Sequence, residues 1–162
     1  MTGKRYIAVL MLLFLAGGLA PAGCSRGSRA RIAIMTRLQS GSTVGSSEVN
    51  ATRLFLEERG VRSIEIVPFN DNWEPDRALE AYSEMRSQGL DILITSHVST
   101  CALALRDSIN RDGVLTMVTG AATDALSGHD DWIFRTIQDV ASEQKSIAGY
   151  INDLPGAELL II

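Results

Sequence analysis

A chain of 162 residues, 46% of them hydrophobic, has enough apolar material for one domain with a proper core. Its net charge of −4, with no basic cluster beyond the N-terminal region, argues against a nucleic-acid-binding surface. It has only two cysteines, Cys24 and Cys101, so it cannot be a disulfide-built scaffold.

The first element is a leader. Lys4 and Arg5 form a short basic region, Tyr6–Leu15 is almost wholly apolar, and small residues and Pro21 follow up to Gly23. That succession predicts a secretory signal peptide over residues 1–23. The apolar run ends in glycines and a proline, at the lower limit for a transmembrane helix. Two cut sites are readable. Ala20-Pro21-Ala22 fits a site that releases a soluble, secreted chain. Ala22-Gly23-Cys24 resembles the end of a bacterial lipobox, which would make Cys24 the lipidated first residue, although Pro21 stands where that signal usually has Leu. A cysteine directly after the small residues favours the lipid reading, with acyl chains anchoring at ~0.8 kcal/mol per buried CH2. Residues 24–30 are small, polar and basic, and read as a tether to a folded part.

Strands and helices then alternate. Arg31–Met35 predicts a strand, Arg37–Ser47 a polar loop, and Glu48 to Arg59 a helix with Ala51, Leu54 and Phe55 at helical spacing. Ser63–Phe69 alternates like a strand, and residues 70–76 (NDNWEPD) form a turn-rich loop. Pro75 opens a helix with Ala78, Ala81, Tyr82 and Met85 inward. Asp91–Thr95 is a buried strand. A helix from Thr100 to about Arg111 follows, with Ala102, Leu105 and Ile109 inward. Val114–Thr119 and residues 132–136 are strands, Val140–Ile151 is a helix, and the chain closes on Ala157–Ile162. This order predicts an α/β fold, a parallel sheet with helices on both faces. In such sheets ligands bind beyond the carboxyl ends of the strands. The loops there, Arg37–Ser47, Ser96–Thr100 and Gly120–Asp124, are rich in Ser, Thr, Gly and Ala. They suit a small polar molecule that needs hydrogen bonds and close backbone approach.

The bland readings of these residues stand beside that one. Thr100 can cap its helix, Ser40 and Ser42 can shape a turn, and Trp73 and Trp132 can be packing residues, with Trp73 also able to reach the cleft rim. Cys101 reads as a small buried hydrophobe. His97 and His129 lack the spacing of a metal site, and no cofactor is implied. No nucleophile elbow, phosphate loop or dinucleotide fingerprint is present, so a small α/β enzyme is the weaker reading and the chain is read as a non-enzyme.

Five segments, in order, resemble the type I periplasmic solute-binding proteins, in the branch of the leucine/isoleucine/valine-binding protein of ABC importers. They are Ser40-Gly41, Phe69–Met85, Ile94–Thr100, Met117–Ser127 and Ile133–Ile151. The resemblance implies a Rossmann-like N-terminal ligand-binding lobe over residues 31–156 and the start of a second lobe at 157–162. It implies an extracytoplasmic receptor that holds an amino acid, aliphatic ones first, in an interlobe cleft and presents it to a membrane permease. The matching positions put Thr100 on the ligand carboxylate and Ala121 and Thr123 on its ammonium, with Ser99 and Ser40 in the same loops. Asp124 and Gly120 depart from the family pattern, and Asp124 would repel a carboxylate or favour a cation. A ligand-sensing domain of a signalling system is the alternative that the same fold supports.

Overall fold

The computed structural model describes residues 29–39, 43–95 and 98–155. The leader with Cys24, nearly all of the tether, Ser40, Ser42, His97 and the closing 157–162 segment lie outside the described residues. The elements are β1 (Ala30–Thr36), α1 (Thr43–Glu58), β2 (Ile64–Asn70), α2 (Pro75–Ser87), β3 (Ile92–Thr95), α3 (Ser99–Asp112), β4 (Leu115–Val118), a 3-10 turn (Asp124–Leu126), β5 (Ile133–Arg135) and α4 (Val140–Asn152). The five strands are all parallel, in the order β2-β1-β3-β4-β5. The α/β architecture expected from the sequence is therefore the one observed.

The strand order reverses between β1 and β3. From β1 the chain steps outward to β2; from β2 it crosses back to β3 and continues to β4 and β5. In open α/β sheets, ligands bind beyond the carboxyl ends of the strands at such a reversal, which here lies between β1 and β3.

Two cores hold the sheet. Met35, Phe69, Tyr82, Met85, Leu93 and Leu105 belong to the larger, shared by the sheet with α2 and α3. The inward stripes foreseen for these helices are correct: Ala78, Ala81, Tyr82 and Met85 on one, Ala102, Leu105 and Ile109 on the other, all buried. Pro75 starts α2 with its fixed φ, and Asp76 lies in the first turn, where an acidic group complements the helix dipole. The smaller core is Ile34, Val49 and Ile66, on the α1 side.

α1 departs from expectation. It starts at Thr43, five residues earlier than the sequence pattern suggested, and buries Gly45 and Val49. Ala51 is exposed, and Leu54 and Phe55 are each 55% exposed. The helix is oriented by its first turn rather than by its most apolar stripe. A Cβ on Gly45 would lie 2.0 Å from the Arg37 carbonyl oxygen, so only glycine lets the helix rest on the end of β1. Thr52 and Leu56, further along that stripe, are half-buried. Phe55 is shielded instead by the Arg59 guanidinium, 5.3 Å from its ring centre.

The β5 end is more open. Met117 pairs in register with Phe134 and Ile94, yet Met117 is 38% and Phe134 50% exposed. Trp132, expected to pack, is also largely exposed, with its ring edge near Gly113. α4 buries none of its residues, and Val140, Ile147 and Tyr150 face solvent.

Candidate functional site

Threonine sits at or just past the carboxyl end of four of the five strands: Thr36, Thr95, Thr119 and Thr136. Three are laced together. Thr119 donates both its backbone N–H (3.1 Å) and its hydroxyl (3.2 Å) to the Thr95 carbonyl. The Thr136 hydroxyl donates to the Thr119 carbonyl at 3.4 Å. Thr36 is fully buried, and its hydroxyl has no hydrogen-bond partner among the described residues. Below this row a mainly apolar cavity of about 260 Å³ lies between the sheet and α1, lined by Ile34, Ala51, Thr52, Ile94, Thr95 and Thr119, with Glu48 at its wall.

The anticipated ligand residues stand around the same rim. Ser99 and Thr100 form the first turn of α3. Thr100 does not cap this helix: the cap position is Val98, and no side chain accepts there. With no side-chain cap, the backbone N–H groups of this first turn and the hydroxyls of Ser99 and Thr100 are donors of the kind that suits an anionic oxygen. Ala121 is buried, and Thr123 is half-buried with its hydroxyl accepting from the Ala125 N–H at 3.3 Å. Ser40, the fifth anticipated residue, lies outside the described residues. Asp124 has a structural task. Its Oδ1 accepts from the Ala141 N–H at 3.0 Å, tying the loop after β4 to the start of α4.

A polar knot secures that loop. Arg135 donates to the Thr123 carbonyl at 2.9 Å and to the Ser127 hydroxyl, and pairs with Asp139 at 3.5 Å. Ser127 donates to Asp139 at 2.7 Å, and Asp139 accepts the Ser142 N–H at 2.8 Å as the cap of α4. Hydrogen bonds from Ser142 and then Ser127, helped by the Arg135 charge, pull the Asp139 carboxyl down to about 2. A depressed folded value means that the stabilisation is present above the ordinary carboxylate range, near pH 4, and is lost as pH falls toward 2. Asp139→Asn keeps an acceptor at the cap and removes the titration. The melting temperature of the variant should fall less steeply than that of the parent between pH 4 and pH 2.

The residues that sequence reasoning missed lie on the β1–β2 side. Asp71 is almost wholly buried, and its Oδ1 accepts the Trp73 N–H at 3.0 Å. Burial, more than any other influence, raises its pKa. Asn72 and Trp73 both adopt left-handed backbone, with φ of 51° and 61°. The Arg37 guanidinium lies over the Trp73 ring, 5.6 Å from its centre. The Asn-Asp-Asn run was readable as a turn, and it is one; its use in aiming a tryptophan was not. Cys101 is buried, and its thiol is pushed up to about 11 by burial and then by the charge of Asp71, so it is no thiolate at neutral pH. His129 is exposed, and no group of three metal-ligating side chains lies together among the described residues.

A family model for periplasmic binding proteins matches residues 31–161. The chain belongs to this family. As a periplasmic binding protein it is similar in fold to an ABC transporter substrate-binding protein from Sphaerobacter thermophilus, at 20% identity and a TM-score of 0.67, over 78% of this chain and 37% of that one. A branched-chain amino acid transporter protein from Rhodopseudomonas palustris is similar at 23% identity and a TM-score of 0.60, over 73% and 34% of the two chains. A solute-binding protein from the BisB5 strain of the same species, solved with 3,4-dihydroxybenzoic acid, is similar at 18% identity and a TM-score of 0.58, over 68% and 32%. The chain thus spans about a third of the length of these periplasmic binding proteins. Among curated proteins no sequence matches it.

Proposed function

We propose that this chain forms the N-terminal lobe of an extracytoplasmic receptor for an ABC importer, and that it holds a small carboxylate-bearing solute at the rim described above. The observation that carries the reading is the open first turn of α3, with Ser99 and Thr100, on the sheet edge that also bears Ala121 and Thr123. A carboxylate there would meet backbone N–H groups and hydroxyls, and an ammonium would meet carbonyl and hydroxyl oxygens of the 121–123 loop. A zwitterion taken out of water needs this density of charge-matched bonds.

An amino acid is the leading ligand class; the resemblance to the leucine/isoleucine/valine branch makes leucine the first probe, and the group at the far end of the solute is set by the residues that meet it there. A solute-binding protein from Rhodopseudomonas palustris in complex with benzoate and a fatty acid ABC transporter substrate-binding protein from Thermomonospora curvata are also similar in fold, and both of those solutes bear a carboxylate. We further infer that Cys24 is lipidated and tethers the lobe outside the cytoplasmic membrane, and that α4 belongs to the passage into a second lobe. The unburied apolar face of α4 supports that passage.

The test is calorimetry and small-angle scattering on the full exported chain with leucine and benzoate as probes. Binding accompanied by a smaller radius of gyration is expected, because closure on ligand is how such receptors signal occupancy. Failure of both probes and of other small carboxylates to bind would end the reading; binding without compaction would favour a sensing domain over a transport receptor.

A further inference from the structure

Building on the solute-receptor reading, we propose that Arg37 selects the far end of the solute, and that the natural ligand carries a second acidic group there.

Arg37 is the first residue after β1, at the switch point of the sheet and on the same rim as Thr100 and Thr123. Among the described residues its buried Nε has no hydrogen-bond partner and its guanidinium enters no ion pair. Among the described residues its guanidinium makes a single hydrogen bond, a long one of 3.4 Å to Gln39. A guanidinium stays charged throughout the accessible pH range, so a dry N–H without an acceptor is costly and calls for an anionic partner.

The surroundings hold this cation in place without neutralising it. Below it is the Trp73 ring. Trp73 is set by the buried Asp71 and by two successive residues in the left-handed region, a conformation that side chains other than glycine adopt only at a cost. The Arg37 backbone is wedged against Gly45. The adjoining Leu38 N–H donates to Asn70 Oδ1 at 2.9 Å. Of the acids on this side of the sheet, Asp71 is buried, and that burial, with a smaller push from the charge of Glu48, makes it harder to ionise. Asp71 spends its carboxylate on the Trp73 backbone, and neither acid pairs with the guanidinium. A flat cation stacked on an indole, with its edge unfilled, matches a carboxylate in its plane better than any neutral group.

The experiment uses pairs of probes that share one carboxylate and differ only in whether the far end is an acid or its amide. L-glutamate with L-glutamine, L-aspartate with L-asparagine, and succinate with succinamate serve, with leucine as reference, titrated into the full chain by calorimetry. In at least one pair the acid should bind about tenfold to a hundredfold more tightly than the amide, the size expected of one charge-assisted contact. Arg37→Gln should erase that ratio while leaving amide binding in place, and Arg37→Lys should restore part of it; melting curves check that the variants are folded. Equal binding within every pair, tighter binding of the amides, or a ratio that survives Arg37→Gln in a folded variant overturns the proposal. Binding of leucine with rejection of all the paired acids overturns it alone. If no probe binds, leucine included, the receptor reading falls with it.

Discussion

Alanine at position 45 should destabilise the lobe by about 3 kcal/mol or more, the upper range for overpacking a closely fitted site. The added Cβ would stand 2.0 Å from the Arg37 carbonyl oxygen, 2.8 Å from its carbon and 3.1 Å from a Thr36 methyl. Two of those atoms are backbone in or next to a central strand, so the strain cannot be relieved by rotating a side chain. Either α1 lifts from β1 and uncovers Ile34, Val49 and Ile66, or the loop after β1 shifts and carries Arg37 with it. Urea denaturation of the Gly45→Ala variant measures the loss. The control is Gly149→Ala in exposed α4, where nothing lies within 4 Å of the new atom. That change should be neutral or stabilising by up to about 1 kcal/mol through helix propensity. Equal stability of the two variants would mean that α1 does not sit where Gly45 places it.

Removing both rim hydroxyls, with Thr100→Ala and Thr123→Ala, should weaken binding of a carboxylate solute by about a hundredfold or more. Each lost hydrogen bond to a charged group contributes about 1.5–3 kcal/mol. Thr100 is exposed and makes no cap, so its loss should leave stability within about 0.5 kcal/mol. Thr123 also accepts the Ala125 N–H, so its replacement should cost up to about 1 kcal/mol of stability. Thr123→Ser separates the effects by keeping the hydroxyl. Calorimetry on the full chain gives the affinities, and unchanged affinity in the double variant would remove both residues from the site.

The fold was legible because its alternation is regular and its helical stripes on α2 and α3 are strongly periodic. Every inward position named for those helices is buried, since each is long enough for propensity and packing to agree. α1 was misread because its orientation depends on one close backbone approach at Gly45, which leaves no mark in a hydrophobic pattern. The loops after β3 and β4 could be singled out from their small and hydroxyl residues, and they lie at the carboxyl ends of their strands. The Asp71–Trp73–Arg37 assembly was not, because it joins residues more than thirty positions apart through a left-handed turn and a stacked ring. Asn72 permits that backbone readily, but a tryptophan there gives no such signal.

The knot formed by Arg135, Ser127 and Asp139 has a mechanical consequence. It grips α4 at one end only, and the rest of the helix buries nothing. A helix of 13 residues is roughly 20 Å long. A tilt of only about 10° at the gripped end then carries the far end some 3–4 Å, by the arithmetic of a rod of that length. The Thr123 carbonyl is one of the atoms bonded to Arg135, so one cation sets both the rim loop after β4 and the direction in which α4 leaves the sheet.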